Sequence, residues 1–340
     1  MSGRHLRRRA ERVGLGLTAA LVLLMLSFVV AHWLRSYPVT GWFYDEFLLA
    51  GAWIDHFLGT RVFKRSFVWQ QIATGTFVGV VGPLVGVFLV HREMALIGET
   101  LAHTAFAGVV IGFIVTAATG IGGSPLLVAL VVGIFGALAV QWLAERSRTY
   151  GDVPIAIMLS GSFAAGTLLI SWGRESMSIA IDVEQYLWGN VSTVPPEGAR
   201  LMAALSVAVV AIVVVNYKQF LFITFDEQAA RVARLNVDAY NTLLIVFTAV
   251  VVVGAMQIMG VILVAAMLVV PVAAASQIAR SFRETIALSV IFGELSVVGG
   301  FVVAIGQGLP AGSSIVLAAI ALYLATVLLS DRATLRLSRG

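Results

Sequence analysis

Long apolar runs alternate with short polar connections along almost the whole chain. Ten of these runs have the length of a membrane crossing, since a transmembrane helix needs about 20 predominantly apolar residues. They lie near residues 13–34, 69–90, 99–118, 125–144, 153–172, 200–217, 241–258, 260–279, 285–305 and 311–329. The division of the 241–279 stretch depends on Met259 and Gly260 alone. The pattern predicts an all-α integral membrane protein with about ten transmembrane helices.

Composition narrows the chemistry that the chain can perform. Of its 340 residues 59% are hydrophobic and 12% charged, whereas soluble domains carry about 25% charged residues. The chain has no cysteine, which excludes disulfides, thiolate metal sites and cysteine nucleophiles. A metal ion must therefore bind to His, carboxylate, amide or thioether groups. The net charge of +4 does not indicate nucleic-acid binding, because the basic residues flank apolar runs.

The basic residues predict the orientation of the helices. With a cytoplasmic N-terminus and ten crossings, 16 of the 22 Lys and Arg residues lie on the cytoplasmic side. Such an excess is typical of cytoplasmic loops and predicts that residues 1–12 and the tail 331–340 are both cytoplasmic. The first run is long for a signal peptide and no small-residue cleavage site follows it, which favours an uncleaved first helix.

Three connections between the runs are longer than a turn. Segment 35–67, external in this topology, mixes aromatic and acidic residues and is expected to form a helix lying in the membrane interface. Segment 173–199 is also external, and its Pro195-Pro196 pair predicts a turn beside a short non-spanning helix. Segment 218–240 is the only substantial cytoplasmic loop.

Ionisable residues inside predicted spans are costly and are therefore functional candidates. Glu99 and His103 are four residues apart, so both side chains lie on one helix face and can converge on one cation. Zn²⁺, Mn²⁺ and Fe²⁺ accept such mixed oxygen and nitrogen ligands. A hydrogen-bonded structural pair and a proton relay are the alternatives. Glu294, in the ninth run, is a third ligand, a group that neutralises a neighbour, or the partner of a polar side chain such as Gln70, Gln71 or Gln257.

The cytoplasmic 224–241 stretch predicts a short helix that docks against another protein. Thr224 followed by Glu227 has the spacing of a capping box, and acidic residues precede basic ones as the helix dipole favours. Ala229, Ala230 and Ala233 are expected to form a flat docking face; the alternative is a plain solvated connector. The predicted docking residues are Asp226, Glu227, Ala230, Arg231 and Arg234.

Taken together, these residues resemble the permease subunits of zinc and manganese ATP-binding-cassette (ABC) importers. The resemblance covers about residues 66–330. It is carried by Gly82 to His103, by Phe225 to Asp238, by the Pro271-containing helix 261–275 and by Leu309 to Leu317. The first stretch is similar to the family's basic-Met turn followed by Gly-Asp-x-x-x-His, and the second to its ATPase-docking loop.

The resemblance implies a type II ABC importer-like permease bundle with metal coordination at Glu99 and His103. Glu99 stands where the family usually has Asp. The resemblance also implies three kinds of protein partner: two ATPase subunits, an external metal-binding protein and a second permease copy. It further implies that the permease lies in the plasma membrane in contact with lipid. Residues 1–60 are predicted to be an N-terminal extension with one span and the interfacial segment, 61–330 the metal-permease bundle, and 331–340 the tail.

The predicted function is thus the translocation of a divalent metal, Zn²⁺, Mn²⁺ or Fe²⁺, by alternating access. The chain itself is expected to be no enzyme and to hold no tightly bound cofactor, with ATP hydrolysed by the separate subunit. The alternatives are a vitamin B12 or siderophore ABC permease, whose cargo gives no reason for Glu99 and His103, and a stand-alone ion-coupled carrier, for which inverted repeats are expected.

Overall fold

The computed structural model describes residues 2–119, 125–146, 153–177 and 196–337, and these ranges contain thirteen α-helices and no strand. The helices are α1 (Ser2–Trp33), α2 (Pro38–Leu58), α3 (Ser66–His91), α4 (Ile97–Thr119), α5 (Pro125–Arg146), α6 (Val153–Met177), α7 (Pro196–Val215), α8 (Tyr217–Phe225), α9 (Glu227–Val232), α10 (Val237–Met259), α11 (Val261–Ser276), α12 (Phe282–Gln307) and α13 (Ala311–Leu337). The predicted all-α fold is confirmed.

Each of the ten predicted apolar runs coincides with a helix. In the described ranges, eight helices have the length and hydropathy of a membrane span, whereas α5 and α11 provide shorter apolar stretches, Leu127–Leu143 and Val261–Ser276. The number of crossings and the side of each terminus therefore remain predictions. Most of the predicted 173–199 connection and the end of the 331–340 tail lie outside the described residues.

A single glycine divides the long apolar stretch 241–279 into two helices. α10 ends at Met259 and α11 begins at Val261. Gly260 between them has φ 82°, and its N–H donates to the Met256 carbonyl at 2.9 Å. Since residues with a Cβ rarely adopt this conformation, glycine is the residue that allows the break. The predicted break at Met259-Gly260 is confirmed.

The chain folds into two compact units. The first comprises Met1–Leu84, Asn190–Val207 and Val270–Gly340. Within it α1 packs on α2 and α12, and α12 packs on α13. Phe28 of α1 is fully buried, with its ring centroid 4.9 Å from that of Phe47 and 6.4 Å from that of Trp69. These aromatic contacts fix α2 against the first helix and the start of α3.

The turn after α2 is organised by a buried carboxylate. Asp55 accepts hydrogen bonds from the Thr60 hydroxyl and from the backbone N–H groups of Val62, Phe63 and Lys64 at 2.7 to 3.0 Å. Burial alone would raise the pKa of Asp55, but these four donors outweigh it and lower the pKa to about 2. The carboxylate therefore stays ionised and holds the turn that leads into α3.

One face of α2 leaves large apolar side chains uncovered. Trp42 is 64% exposed, and Leu49, Trp53 and Phe57 follow it at helical spacing with similar exposure. Tryptophan is enriched at membrane interfaces, where its amphipathic ring lies at headgroup level. The location of α2 in the interface remains a prediction, which this face supports.

The second unit comprises Val85–Gly189 and Ala208–Val269, and α4 packs there against α5, α6 and α10. A Cβ atom at Gly136 of α5 would lie 2.2 Å from Thr104 Cγ2, so the glycine permits the close approach of α5 to α4. The Thr104 hydroxyl also hydrogen-bonds to the Ser162 hydroxyl of α6 at 2.8 Å. These contacts on one side of α4 set its rotation.

Candidate functional site

Glu99 and His103 lie on the same side of α4 and line one cavity. Its volume is about 320 Å³. The other lining residues are Ala95, Leu96, Val261, Ile262, Ala265, Ala266 and Val269, the last five from the start of α11. All of these are apolar, so one carboxylate and one imidazole face an otherwise apolar chamber. The predicted convergence of the two side chains on one space is observed.

The two side chains are not joined directly. No hydrogen bond or ion pair connects Glu99 to His103, although both residues are described. His103 packs edge-on against Phe163 with ring centroids 5.1 Å apart, and its Nδ1 atom is buried without a hydrogen-bond partner. The alternative of a hydrogen-bonded structural pair is therefore not the arrangement in this conformation.

A third acidic or histidine ligand is not part of this arrangement. Within the described ranges, no three His, Asp or Glu side chains group closely enough to hold a metal ion. Glu294 belongs to α12 in the first unit, where its side chain is 4% exposed and both carboxylate oxygens lack a hydrogen-bond partner. Its role as an additional metal ligand remains a prediction.

The predicted docking segment consists of α8, α9 and the start of α10. Asp226, and not Thr224, caps α9: its carboxylate accepts the N–H of Ala229 at 2.8 Å. The capping box predicted for Thr224 and Glu227 is wrong because α8 continues to Phe225, so Thr224 lies inside a helix and donates to the Phe220 carbonyl at 2.6 Å.

The alanine face predicted for this segment is also wrong in part. Ala230 is completely buried in a small core with Ile223 and Val237, so it shapes the segment but presents no surface. The exposed large apolar residues of the segment are Phe222, Phe225 and Val232, with Val232 84% exposed. The spacing of the alanines could not predict the burial of Ala230, because this core forms only when α8, α9 and α10 pack together.

Arg231 connects the two ends of the segment. Its guanidinium group contacts Glu227 at 2.9 Å and Asp238 at 2.8 Å. The hydrogen bonds to Asp238 and then to Glu227 raise the pKa of Arg231, which stays charged. Arg234 follows α9 with φ 61°, a conformation that ends the helix. The predicted docking residues thus share one compact segment, and their contact with a partner remains a prediction.

Arg92 is a further functional candidate, and its role depends on contacts with residues distant in the chain. It lies in the short turn between α3 and α4, and donates from Nε to Thr224 Oγ1 at 2.9 Å and from Nη1 to Asn241 Oδ1 at 2.7 Å. Burial lowers the pKa of Arg92 to about 10, while Glu227 acts in the opposite direction. The turn that precedes the Glu99 helix is therefore tied to the predicted docking segment. In the sequence, the basic-Met turn that contains Arg92 was the feature that could have indicated this role.

Helices of membrane-spanning length and a chamber that presents a carboxylate and an imidazole are features of a membrane transport protein. Residues 64–330 match the model of the ABC 3 transport family. The chain therefore belongs to this family, and it is a multi-pass plasma-membrane protein. The resemblance inferred from sequence is confirmed.

Individual relatives agree with this assignment. The chain is 30% identical over 276 residues to the manganese transport system membrane protein MntC of Listeria monocytogenes, covering 81% of this chain and 95% of the relative. It is 29% identical to the protein of that name from Halalkalibacterium halodurans, covering 78% and 88%. Among solved structures, PsaBC from Streptococcus pneumoniae in complex with Fab matches with 32% identity and a TM-score of 0.66, covering 77% and 91%.

Proposed function

We propose that this chain is the membrane-spanning subunit of an ABC importer for Mn²⁺. The observation that carries the proposal is the chamber in which Glu99 and His103 stand on one face of α4 without binding each other. Relatives of similar length bear the name of manganese transport proteins. A carboxylate with an imidazole is a ligand set that Mn²⁺ accepts, and so do Zn²⁺ and Fe²⁺.

The size of the chamber supports a small inorganic cargo. A water molecule occupies roughly 30 Å³ of liquid, so about 320 Å³ accommodates a metal ion with its hydration shell. Glu99 and His103 would replace two of its water ligands, and retained water would complete the coordination. This chemistry gives no role to a large organic chelate and favours metal transport over the B12 or siderophore alternative.

The energy for transport is proposed to come from a separate ATPase that docks on residues 224–240. Asp226, Glu227, Val232 and Arg234 provide the exposed surface, whereas Ala230 and Arg231 give the segment its shape. Two ATPase copies, an external metal-binding protein and a second permease copy complete the proposed importer. Alternating access would then expose the chamber to each side of the membrane in turn.

The experiment that tests this function is manganese uptake by the reconstituted complex with its ATPase and binding protein. His103→Gln keeps polarity but supplies a poor metal ligand, and Glu99→Gln removes the charge at nearly constant shape. Both variants should lose uptake at low external manganese and recover part of it at high manganese. Matched controls are His56→Gln on α2 and Glu284→Gln on α12, which lie outside the chamber.

Two results would contradict the proposal. Full uptake at low manganese by His103→Gln would show that the imidazole is not a ligand. Transport of zinc with no competition from manganese would show that the cargo has been assigned wrongly while leaving the permease role intact. Assembly with the ATPase, measured by co-purification, must be equal in all variants for either comparison to be valid.

A further inference from the structure

Glu294 is a carboxylic acid in a place where a charge has no support. It lies near the middle of α12, a helix of membrane-spanning length, and only 4% of its surface is exposed. Neither carboxylate oxygen has a hydrogen-bond partner among the described residues. An ionised carboxylate buried without partners costs several kcal/mol or more. The group must therefore bind a proton or a cation in this conformation.

Among the described residues, a backbone carbonyl without its helical donor lies at the same helix crossing as Glu294. A Cβ atom at Gly79 of α3 would lie 2.9 Å from Glu294 Oε1, and one at Gly293 would lie 2.2 Å from the Gly79 carbonyl oxygen. Pro83 has no N–H, so the Gly79 carbonyl lacks its usual helical donor. A carboxyl group and a carbonyl without its donor thus meet at one close helix crossing.

Among the described residues, no fixed positive charge lies against the Glu294 carboxylate. The described contacts of α12 include α1, α3 and α13. Their apolar stretches 13–33, 66–90 and 311–329 contain His32 and Tyr323 as their only titratable side chains. His32 lies at the end of α1, with its Nε2 atom 3.4 Å from Gln70 Nε2. On α12 itself, Arg283 is exposed and three turns away from Glu294. Compensation must come from a mobile species.

We propose that Glu294 is a proton-exchange site within the membrane. In the conformation described, the carboxyl group holds a proton. When α3 and α12 separate enough to admit water, the acid dissociates to a carboxylate and a free proton, and one positive charge leaves the site. The carboxylate left behind then favours the presence of a cation near this helix crossing. The inference rests on the proposed function only in requiring a cationic cargo.

Infrared difference spectroscopy tests the protonation state without requiring transport. The C=O stretch of a protonated carboxylic acid should be present in the resting wild-type complex at neutral pH and absent from Glu294→Gln. Glu284→Gln, the same substitution at the start of the same helix, should retain the band. Trapping the complex with ATP should reduce the wild-type band as the proton leaves. Absence of the band at rest would overturn the proposal.

Uptake measurements separate exchange from permanent neutrality. Glu294→Gln should make manganese uptake less dependent on pH than in the wild type, and Glu294→Asp should restore the dependence by restoring a titratable group. His103 is present in all three proteins, so its own titration cancels. If Glu294→Gln took up manganese as fast as the wild type and with the same pH dependence, the proposal would be overturned. Loss of uptake by Glu294→Gln at every pH and metal concentration would overturn it in favour of a direct metal ligand.

Failure of this inference is distinguishable from failure of the proposed function. If the wild-type complex carries no manganese, the resting infrared band of Glu294 can still be present and still disappear in Glu294→Gln. If manganese is carried but the band is absent, only the proton site is lost.

Discussion

Replacement of Arg92 by glutamine should loosen the docking segment from the turn that precedes α4. Hydrogen bonds to a charged group contribute about 1.5–3 kcal/mol each, and Arg92 makes two short ones, to Thr224 and Asn241. A cavity of about 380 Å³ lies beside these groups, so water can satisfy them and reduce the loss. A local destabilisation of about 2 kcal/mol follows, which is roughly 30-fold in the opening equilibrium.

Hydrogen exchange measured by mass spectrometry on peptides from 218–240 tests this magnitude. The amides of α9 should exchange roughly 30-fold faster in Arg92→Gln, in line with the opening equilibrium. Arg234→Gln is the matched control, since it removes an exposed guanidinium group from the same segment. The Arg92 variant should also bind its ATPase but hydrolyse ATP without a response to manganese. Unchanged exchange in Arg92→Gln would refute the anchoring role.

The remaining predictions concern capping, pH and topology. Asp226→Asn keeps the α9 cap and should therefore bind the ATPase better than Asp226→Ala, which loses about 1 kcal/mol of helix stability. Equal binding of the two variants in a pull-down would show that the cap does not contribute to ATPase binding. Because the pKa of Asp55 is lowered from 3.8 to about 2, its turn is fully stabilised above pH 3.8 and weakens as pH falls towards 2. Pepsin cleavage near the turn should therefore increase as pH falls over that range. In Asp55→Asn, the stability of the turn should not change with pH over the same range. Compartment-sensitive reporters at residues 1–12 and 331–340 should both report the cytoplasm, and opposite sides would exclude ten crossings.

The sequence predicted those features that depend on periodicity. The i, i+4 spacing of Glu99 and His103 is enough to place both on one face of α4, because helix geometry alone determines it. The break at Gly260 was likewise predictable, since glycine interrupts an apolar stretch too long for one helix. The family could be inferred because its motifs are local in the chain and survive substitution of Asp by Glu at position 99.

Features that depend on contacts between distant residues were not predictable. The spacing of Thr224 and Glu227 predicts a cap at Thr224, but α8 continues to Phe225 and leaves Asp226 as the cap of α9. Ala230 is buried because α10 folds back on α9. Arg92 is 132 residues from Thr224 and 149 from Asn241, and no periodic pattern connects positions so far apart. The apolar wall of the chamber was unpredictable for the same reason, since α11 is distant in the chain from Glu99 and His103.

The single residue between α10 and α11 also determines how the chamber width responds to backbone rotation. α10 packs on α4, which carries Glu99 and His103, whereas α11 provides the facing wall from Val261 to Val269. At 1.5 Å per residue, Val269 is about 13 Å from Gly260 along the helix axis. A rotation of about 5° at Gly260 would therefore displace the wall by roughly 1 Å at Val269, a distance that matters for metal coordination. A change in the two backbone torsion angles of Gly260 would thus move α11 while Glu99 and His103 stay in place on α4.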